Sequence, residues 1–339
     1  MKTGSSRLTA ATLACILLLT PFLACSCGGE ETTYRVALVG SSGGEYGEER
    51  NSLAEYGQRR VEAELGVEVD LILPGAEEDL EWLFSGGEHG YDLVVSLGQD
   101  SSLDMLFARP EDTEIAACAL DFEVPQEVPG ERVATLVRYR VEEGSYICGY
   151  LAGWLSGRAD HPLTNAMPLA AFIGALDDPL VVYYNSGFTK GVKAGAAQGG
   201  SHSYFLETAE DSAQARAYAE EAVEKGVDIV FCTPGPFNDE VIEVAEEKDI
   251  LVILVGADRS AESPDHVLTS LLLRDDNAVF EAVRAALDGD LEAGRLVWGK
   301  EEGTWSLAPF HGHDPYIRKE IKEKLREEEE TVGNIDFSS

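Results

Sequence analysis

VEEGSYICGYLAGWLSG, residues 141–157, is the stretch around which this chain of 339 residues is organised. Glu142, Glu143 and Ser145 supply an acidic, polar first turn and Gly157 with Arg158 a stop, so the run reads as one helix with both ends marked. Tyr146, Ile147, Cys148, Tyr150, Leu151, Trp154 and Leu155 fall on every side of a 3.6-residue period, and a helix apolar all round has to be covered all round. It is too short to span a bilayer. Gly149 and Gly153 stand one turn apart in its interior, where each costs about 1 kcal/mol relative to alanine. Such a pair predicts that another backbone approaches that face closely.

Outward from this helix, strand and helix signals alternate. On the N-terminal side, β-rich apolar runs stand at 34–40 (YRVALVG), 67–73, 92–98, 114–120 and 132–139, with helical patterns over 49–65, 78–84 and 101–108. On the C-terminal side come runs at 169–175 (LAAFIGA), 203–206, 227–232 and 250–256 (ILVILVG), separated by helical patterns over 179–197, 209–225 and 240–248. Strands this apolar have lost the period of two and read as buried on both faces. The alternation therefore predicts an α/β chain with two doubly wound parallel-sheet lobes. In such sheets ligands bind beyond the carboxyl ends of the strands, which directs attention to the loops after Val39, Val95 and Leu120.

Charge and cysteine placement narrow the function classes. Against 62 Asp plus Glu there are 26 Lys plus Arg, a net charge of -36 that repels nucleic acid and anionic membrane surfaces. Residues 1–24 carry Lys2 and Arg7 ahead of an apolar run that is broken by Pro21 and closes on small residues, the pattern of a secretory signal peptide. Cys25 after Ala24, and as runner-up Cys27 after Ser26, stand where a bacterial lipobox places the cysteine to be diacylated. Residues 25–33 then read as a lipidated tether, holding the chain on the extracytoplasmic face of the cell membrane. Cys118, Cys148 and Cys232 lie in apolar runs without metal-ligand spacing and are expected as buried thiols.

Enzymatic signals are weak. His311, Gly312, His313 and Asp314 lack the helical spacing and the distant third ligand of a hydrolytic metal site. GSSGG at 40–44 has neither dinucleotide nor P-loop spacing, and no Ser or Cys nucleophile comes with a recognisable base. A binding protein without cofactor or metal is expected.

The segment EGSYICGYLAGWLSG resembles the E-x-S-Y-L-A-G-x-L-A segment of the basic membrane protein family, lipid-anchored substrate-binding proteins of ABC transporters, several of them for purine nucleosides. GALDDPLVVYYNSGFTKGVKAG, GVDIVFCTPG, VGADRSAESPDHVLTSLLLRDDNAVF and VWGKEEGTWSLAPF resemble further blocks of that family, in family order, over roughly residues 34–309. The resemblance implies a type I periplasmic-binding-protein fold with a ligand cleft between two discontinuous lobes. The first would hold 34–140 plus about 267–298, the second 141–266 plus about 299–330. It also implies a small-molecule ligand, a nucleoside, bound by lobe closure and delivered to an ABC permease. The alternative is a ligand-sensing lipoprotein or co-receptor of the same fold without a transport role.

Site residues follow from the same resemblance. Asn51, six before Gly57, matches the Asn of the family's D-x-S-F-N loop, whereas Gly47 replaces its Asp and Arg50 its Phe. Asp121 matches an Asp that ends a strand, and Gly235 the glycine turn after another. Tyr184 takes the aromatic place before G-F and is expected to stack on a base, with Phe188 as a further contact or as core. Asp258 matches the first Asp of G-V-D-x-D, placed for ribose hydroxyls, while Ser260 replaces the second and Leu273 stands at the family's Lys. Arg50 is expected over the flat part of the ligand, opposite Asp258. Asn51 as a helix cap and Asp121 as a solvated loop carboxylate remain the structural alternatives.

Overall fold

The computed structural model describes residues 33–41, 44–75, 79–85, 90–123 and 134–338; the signal segment and both candidate lipidation sites, Cys25 and Cys27, lie outside them. Two six-stranded sheets result from the apolar runs. The first has the order β11 (Gly294–Trp298), β5 (Thr135–Tyr139), β4 (Ala116–Leu120), β3 (Leu93–Leu97), β1 (Arg35–Val39), β2 (Glu68–Ile72), every neighbour parallel. The second has the order β12 (Trp305–Leu307), β10 (Val267–Leu273), β9 (Leu251–Gly256), β8 (Ile229–Cys232), β6 (Leu169–Ala175), β7 (Gly200–Leu206), parallel except for β12 against β10.

Helices cover both faces of each sheet, which is why the central strands show no period of two. On the first sheet α1 (Gly44–Leu65) and α7 (Asp275–Asp288) cover one face, with Val36, Leu38, Val95 and Leu120 beneath them. α2 (Gln99–Ala108) and a 3-10 turn at Glu81–Phe84 cover the other, over Ala37, Val39 and Val94. On the second sheet α3 (Val141–Ser156) and α4 (Val181–Gly195) pack over Phe172, Phe231 and Ile253. α5 (Ser212–Glu224) and α6 (Asn238–Lys248) close the opposite face over Ile173, Val230 and Leu254. Cys118, Cys148 and Cys232 are buried thiols, and burial pushes Cys118 up to about 12.

Every residue of α3 is buried. A Cβ on Gly149 would lie 2.2 Å from the Phe188 carbonyl oxygen, and one on Gly153 2.4 Å from that of Val192. α4 reciprocates: Gly187, Gly191 and Gly195 face the carbonyls of Glu142, Tyr146 and Tyr150 at 2.2, 2.1 and 2.1 Å in the same sense. The backbone anticipated from the paired glycines is therefore that of α4. α8 (Lys319–Thr331) then lies across α3, where Tyr146 donates its hydroxyl to Glu328 at 2.8 Å. Among the described residues no helix is long and apolar enough to cross a membrane.

One expected boundary is wrong. A return to the first lobe at about residue 267 puts VLTSLLL there, yet this run is β10 and pairs with β9 and β12 in the second sheet. The chain crosses at Arg274 instead, because the run is buried on both sides as a central strand has to be. Three crossings, at Tyr139–Val141, Arg274–Asp275 and between β11 and β12, are bonded side by side: Arg140 donates its backbone N–H to the Trp298 carbonyl at 2.7 Å, and Arg274 to that of Thr304 at 2.9 Å. Glu143 in the first turn of α3 fastens them, accepting from the Lys300 N–H at 2.9 Å and from Trp305 Nε1 at 3.1 Å.

Candidate functional site

The carboxyl ends of the strands deliver Gly40, Gly98 and Asp121 from the first sheet and Asp178, Ala257 and Asp258 from the second. Arg50, on α1, reaches in among them. Its Nη1 donates to Asp121 Oδ2 at 2.8 Å, while Nε and Nη2 donate to the two oxygens of Asp275 at 2.9 and 2.8 Å. Tyr139, at the end of β5, adds its hydroxyl to Asp275 Oδ1 at 2.9 Å. Burial is nearly complete, with Arg50 6% and Asp275 0% exposed. Gly98, at φ 81°, makes room: a Cβ there would sit 3.0 Å from Arg50 Nη1. Glu49, Arg50, Leu53 and Asp275 of the first lobe and Gly256, Ala257 and Leu273 of the second line a small gap of about 10 Å³.

Arg50 is gripped edge-on by two carboxylates, a role its sequence position did not suggest. The physical reason is charge. A guanidinium this buried needs anionic, bidentate partners to offset the loss of water. Asp275 and Tyr139 were not anticipated as site residues. Their only sequence signal is position, one directly after a strand-to-helix crossing and the other at a strand end.

Asp121 holds a left-handed backbone, φ 54°, and its Oδ1 is buried without a hydrogen-bond partner. Burial raises its pKa, Arg50 opposes the rise and Asp275 adds to it. Asp178, in the loop after β6, lies on the other side of the cleft and is pushed up to about 7, first by burial, with Asp121 and Asp177 adding to it and the Leu180 N–H opposing. A carboxyl whose folded-state pKa is raised stabilises the fold while protonated, and that contribution declines as pH rises from 3.8 through about 7. Asp178→Asn is thus expected to gain stability relative to wild type between pH 5 and pH 8 in urea melts. A difference that stays constant over that range would refute the assignment.

The remaining expected residues are dispersed. Asn51 closes the loop after β1, its Oδ1 accepting from the Ser41 N–H at 2.8 Å and its Nδ2 donating to the Ser41 carbonyl at 3.0 Å. Tyr184, 1% exposed, and Phe188 pack in the core against Phe231 at centroid separations of 6.3 and 5.0 Å. At Gly235 a Cβ would meet the Phe237 ring at 2.7 Å, so packing also demands a glycine there. Asp258 takes 2.7 Å contact with His311 Nε2 and accepts from the Ser260 N–H at 3.1 Å. Burial opposes it, yet these hydrogen bonds hold its carboxyl below the usual range. Leu273, where a Lys was expected, is buried beside Arg50.

His311 and His313 diverge. His313 Nδ1 pairs with His161 Nε2 at 2.9 Å inside the second lobe, and burial lowers His161 to about 4. Among the described residues no group of three His, Cys, Asp or Glu is placed to hold a metal ion.

A sequence model of the Bmp family, described as ABC transporter substrate-binding protein PnrA-like, matches residues 69–335. An uncharacterized lipoprotein of Pyrococcus abyssi is 23% identical over 325 residues, covering 86% of this chain and 75% of its own. Basic membrane protein B of Borrelia garinii subsp. bavariensis is 24% identical over 294 residues, covering 82% of each. Among solved structures, an ABC transporter solute-binding protein from Aeropyrum pernix K1 superposes with a TM-score of 0.66 at 17% identity, over 90% of this chain and 92% of its own. At that identity the likeness speaks for the fold, which is the two-lobed periplasmic-binding-protein architecture.

Proposed function

The chain belongs to the Bmp family of PnrA-like ABC transporter substrate-binding proteins, a family of binding proteins and not of enzymes, and from that premise we propose an extracytoplasmic solute receptor of an ABC importer. It is anchored through a lipid on Cys25, closes its lobes on a nucleoside and hands it to an ABC permease. The observation that carries the reading is the orphaned acceptor: Asp121 Oδ1, buried at the carboxyl end of β4 where the lobes meet, is an ionisable oxygen waiting for a donor. Buried acceptors without partners are costly, about 1–3 kcal/mol each, and a donor-bearing solute removes that cost. Asp258, at the end of β9, contributes a second carboxylate suited to hydroxyl groups. Arg50 and Asn51 serve as the scaffold behind these carboxylates, and Tyr184, Phe188 and Gly235 as the packing beneath.

Opening is part of the mechanism. A solute enters with the lobes apart and is enclosed as they close around it. The three bonded crossings form the pivot. In a thermal-shift panel of nucleosides, free bases and sugars on the full-length chain in detergent, nucleosides are expected to raise the melting temperature more than their bases do. A panel in which no nucleoside moves the transition while another class does would replace the nucleoside by that class.

A further inference from the structure

Arg326, on α8, differs from the other arginines of the described residues. In a chain with 62 acids against 26 bases, twelve of those others sit within ion-pair distance of a carboxylate. Arg109 donates to the carbonyls of Thr113 and Ile115, and Arg158 to that of Trp154, whose ring it also covers. The Arg326 side chain alone among the described arginines has no ion pair, hydrogen bond or ring contact. Glu330 stands one turn further on, at the spacing that favours pairing on a helix, and still does not hold it.

What Arg326 borders instead is a groove of about 540 Å³. Leu307, Pro309 and Phe310, running out of the edge strand β12, form one wall, and Leu325 and Arg326 of α8 form the other. Small-molecule pockets span roughly 300–1,000 Å³, so the space is of the right size for a ligand. Phe310 and Leu307 are only partly buried there, while Leu325 lies at the bottom, 4% exposed. The other charges of the lining are already engaged: Lys322 by Asp314 at 2.6 Å and Glu329 by Lys300 at 3.0 Å. Arg326 is left as the cation that an incoming group meets.

The chemistry of the two walls selects the ligand. A guanidinium presents a planar fork of donors that matches a carboxylate. A net charge of -36 nevertheless repels anions at long range, and one exposed guanidinium offers a simple anion too little to offset that. An anion that carries an apolar group gains in addition from covering Phe310 and Leu325.

We propose that this groove is a second ligand site, outside the cleft, for a small amphiphilic carboxylate whose apolar part lies on Phe310 and Leu325 and whose oxygens accept from Arg326. The site belongs wholly to the second lobe and goes beyond the solute-receptor reading, on which it does not depend. His311, at one end of the groove, is its link to Asp258, so the variants that test it leave His311 untouched.

Calorimetry on the full-length chain in phosphatidylcholine nanodiscs, with empty discs subtracted, tests this with 3-phenylpropionate, 3-phenylpropylamine and propionate. The first has ring and carboxylate, the second the ring with a cation, the third the carboxylate without a ring. Phenylpropionate is expected to bind about tenfold more tightly than either of the others. Arg326→Gln, which removes no contact of the fold, is expected to melt like wild type and to weaken phenylpropionate by about fivefold, the size of an exposed ionic contact. Arg326→Lys, which keeps the charge, should retain most of the affinity. Equal binding of the amine would show that the ring alone is recognised, and equal binding of propionate that the apolar wall plays no part; either overturns the proposal. Phenylpropionate binding that is undiminished in Arg326→Gln places the ligand elsewhere, and it overturns the proposal as surely as the absence of any binding.

Discussion

Arg50→Ala is expected to destabilise the protein by about 3–5 kcal/mol, the cost of removing one partner from a buried ion pair. The variant leaves Asp275, wholly buried, with only the Tyr139 hydroxyl of its present side-chain partners, and takes from Asp121 the hydrogen bond that Arg50 Nη1 donates to it. Both carboxylates then face the interior without a counter-charge. Arg50→Lys keeps the charge but cannot fork onto Asp275 and reach Asp121 together, so it should recover only part of the loss. Arg50→Phe, which introduces the aromatic that the family resemblance implies for this position, is expected to behave like Arg50→Ala: what the position supplies here is a cation and not a ring. Urea melts at pH 7.5 measure all three. A loss below about 1 kcal/mol for Arg50→Ala, the size of an exposed ion pair, would show that the network is not carrying the first lobe.

Gly191→Ala is the second large effect, and its sign is informative. By helix propensity alone the substitution should stabilise by about 1 kcal/mol. Its Cβ, however, would lie 2.1 Å from the Tyr146 carbonyl oxygen and 2.8 Å from the Tyr150 nitrogen, both backbone atoms of α3. No rotamer change relieves a clash with backbone, so the helices have to separate along a face that also carries Gly149, Gly153, Gly187 and Gly195. Overpacking typically costs about 1–3 kcal/mol, and a contact this rigid belongs at or above the upper end. For a chain of this size about 3 kcal/mol corresponds to roughly 4 °C in melting temperature. Equal or higher stability in Gly191→Ala would mean that α3 and α4 are not held at this distance in solution.

How much was legible in the sequence depended on the range of the interaction. The strands showed themselves because burial on both faces leaves an apolar run that no local polar residue interrupts, as in residues 35–39 and 251–256. The all-apolar helix with Gly149 and Gly153 implied a close backbone neighbour, since propensity opposes glycine unless space demands it. Residues 267–273 were assigned to the wrong lobe because an apolar strand reads alike in either sheet; only its pairing with β9 and β12 decides.

The site was the least legible part. Arg50 stood out as a departure from the family pattern, but nothing near it in sequence announces Asp121, 71 positions away, or Asp275, 225 positions away. A charge buried by tertiary packing takes its partners from wherever the chain returns, and no local rule encodes that return. What the sequence by itself determined here is the class of fold, two lobes of buried parallel strands with a ligand edge at their carboxyl ends, because burial and periodicity are local properties of each run. Only the tertiary structure decided that the residue in the expected stacking position is a guanidinium gripped by Asp121 and Asp275, because electrostatic partnership depends on distances between segments that the chain order leaves open.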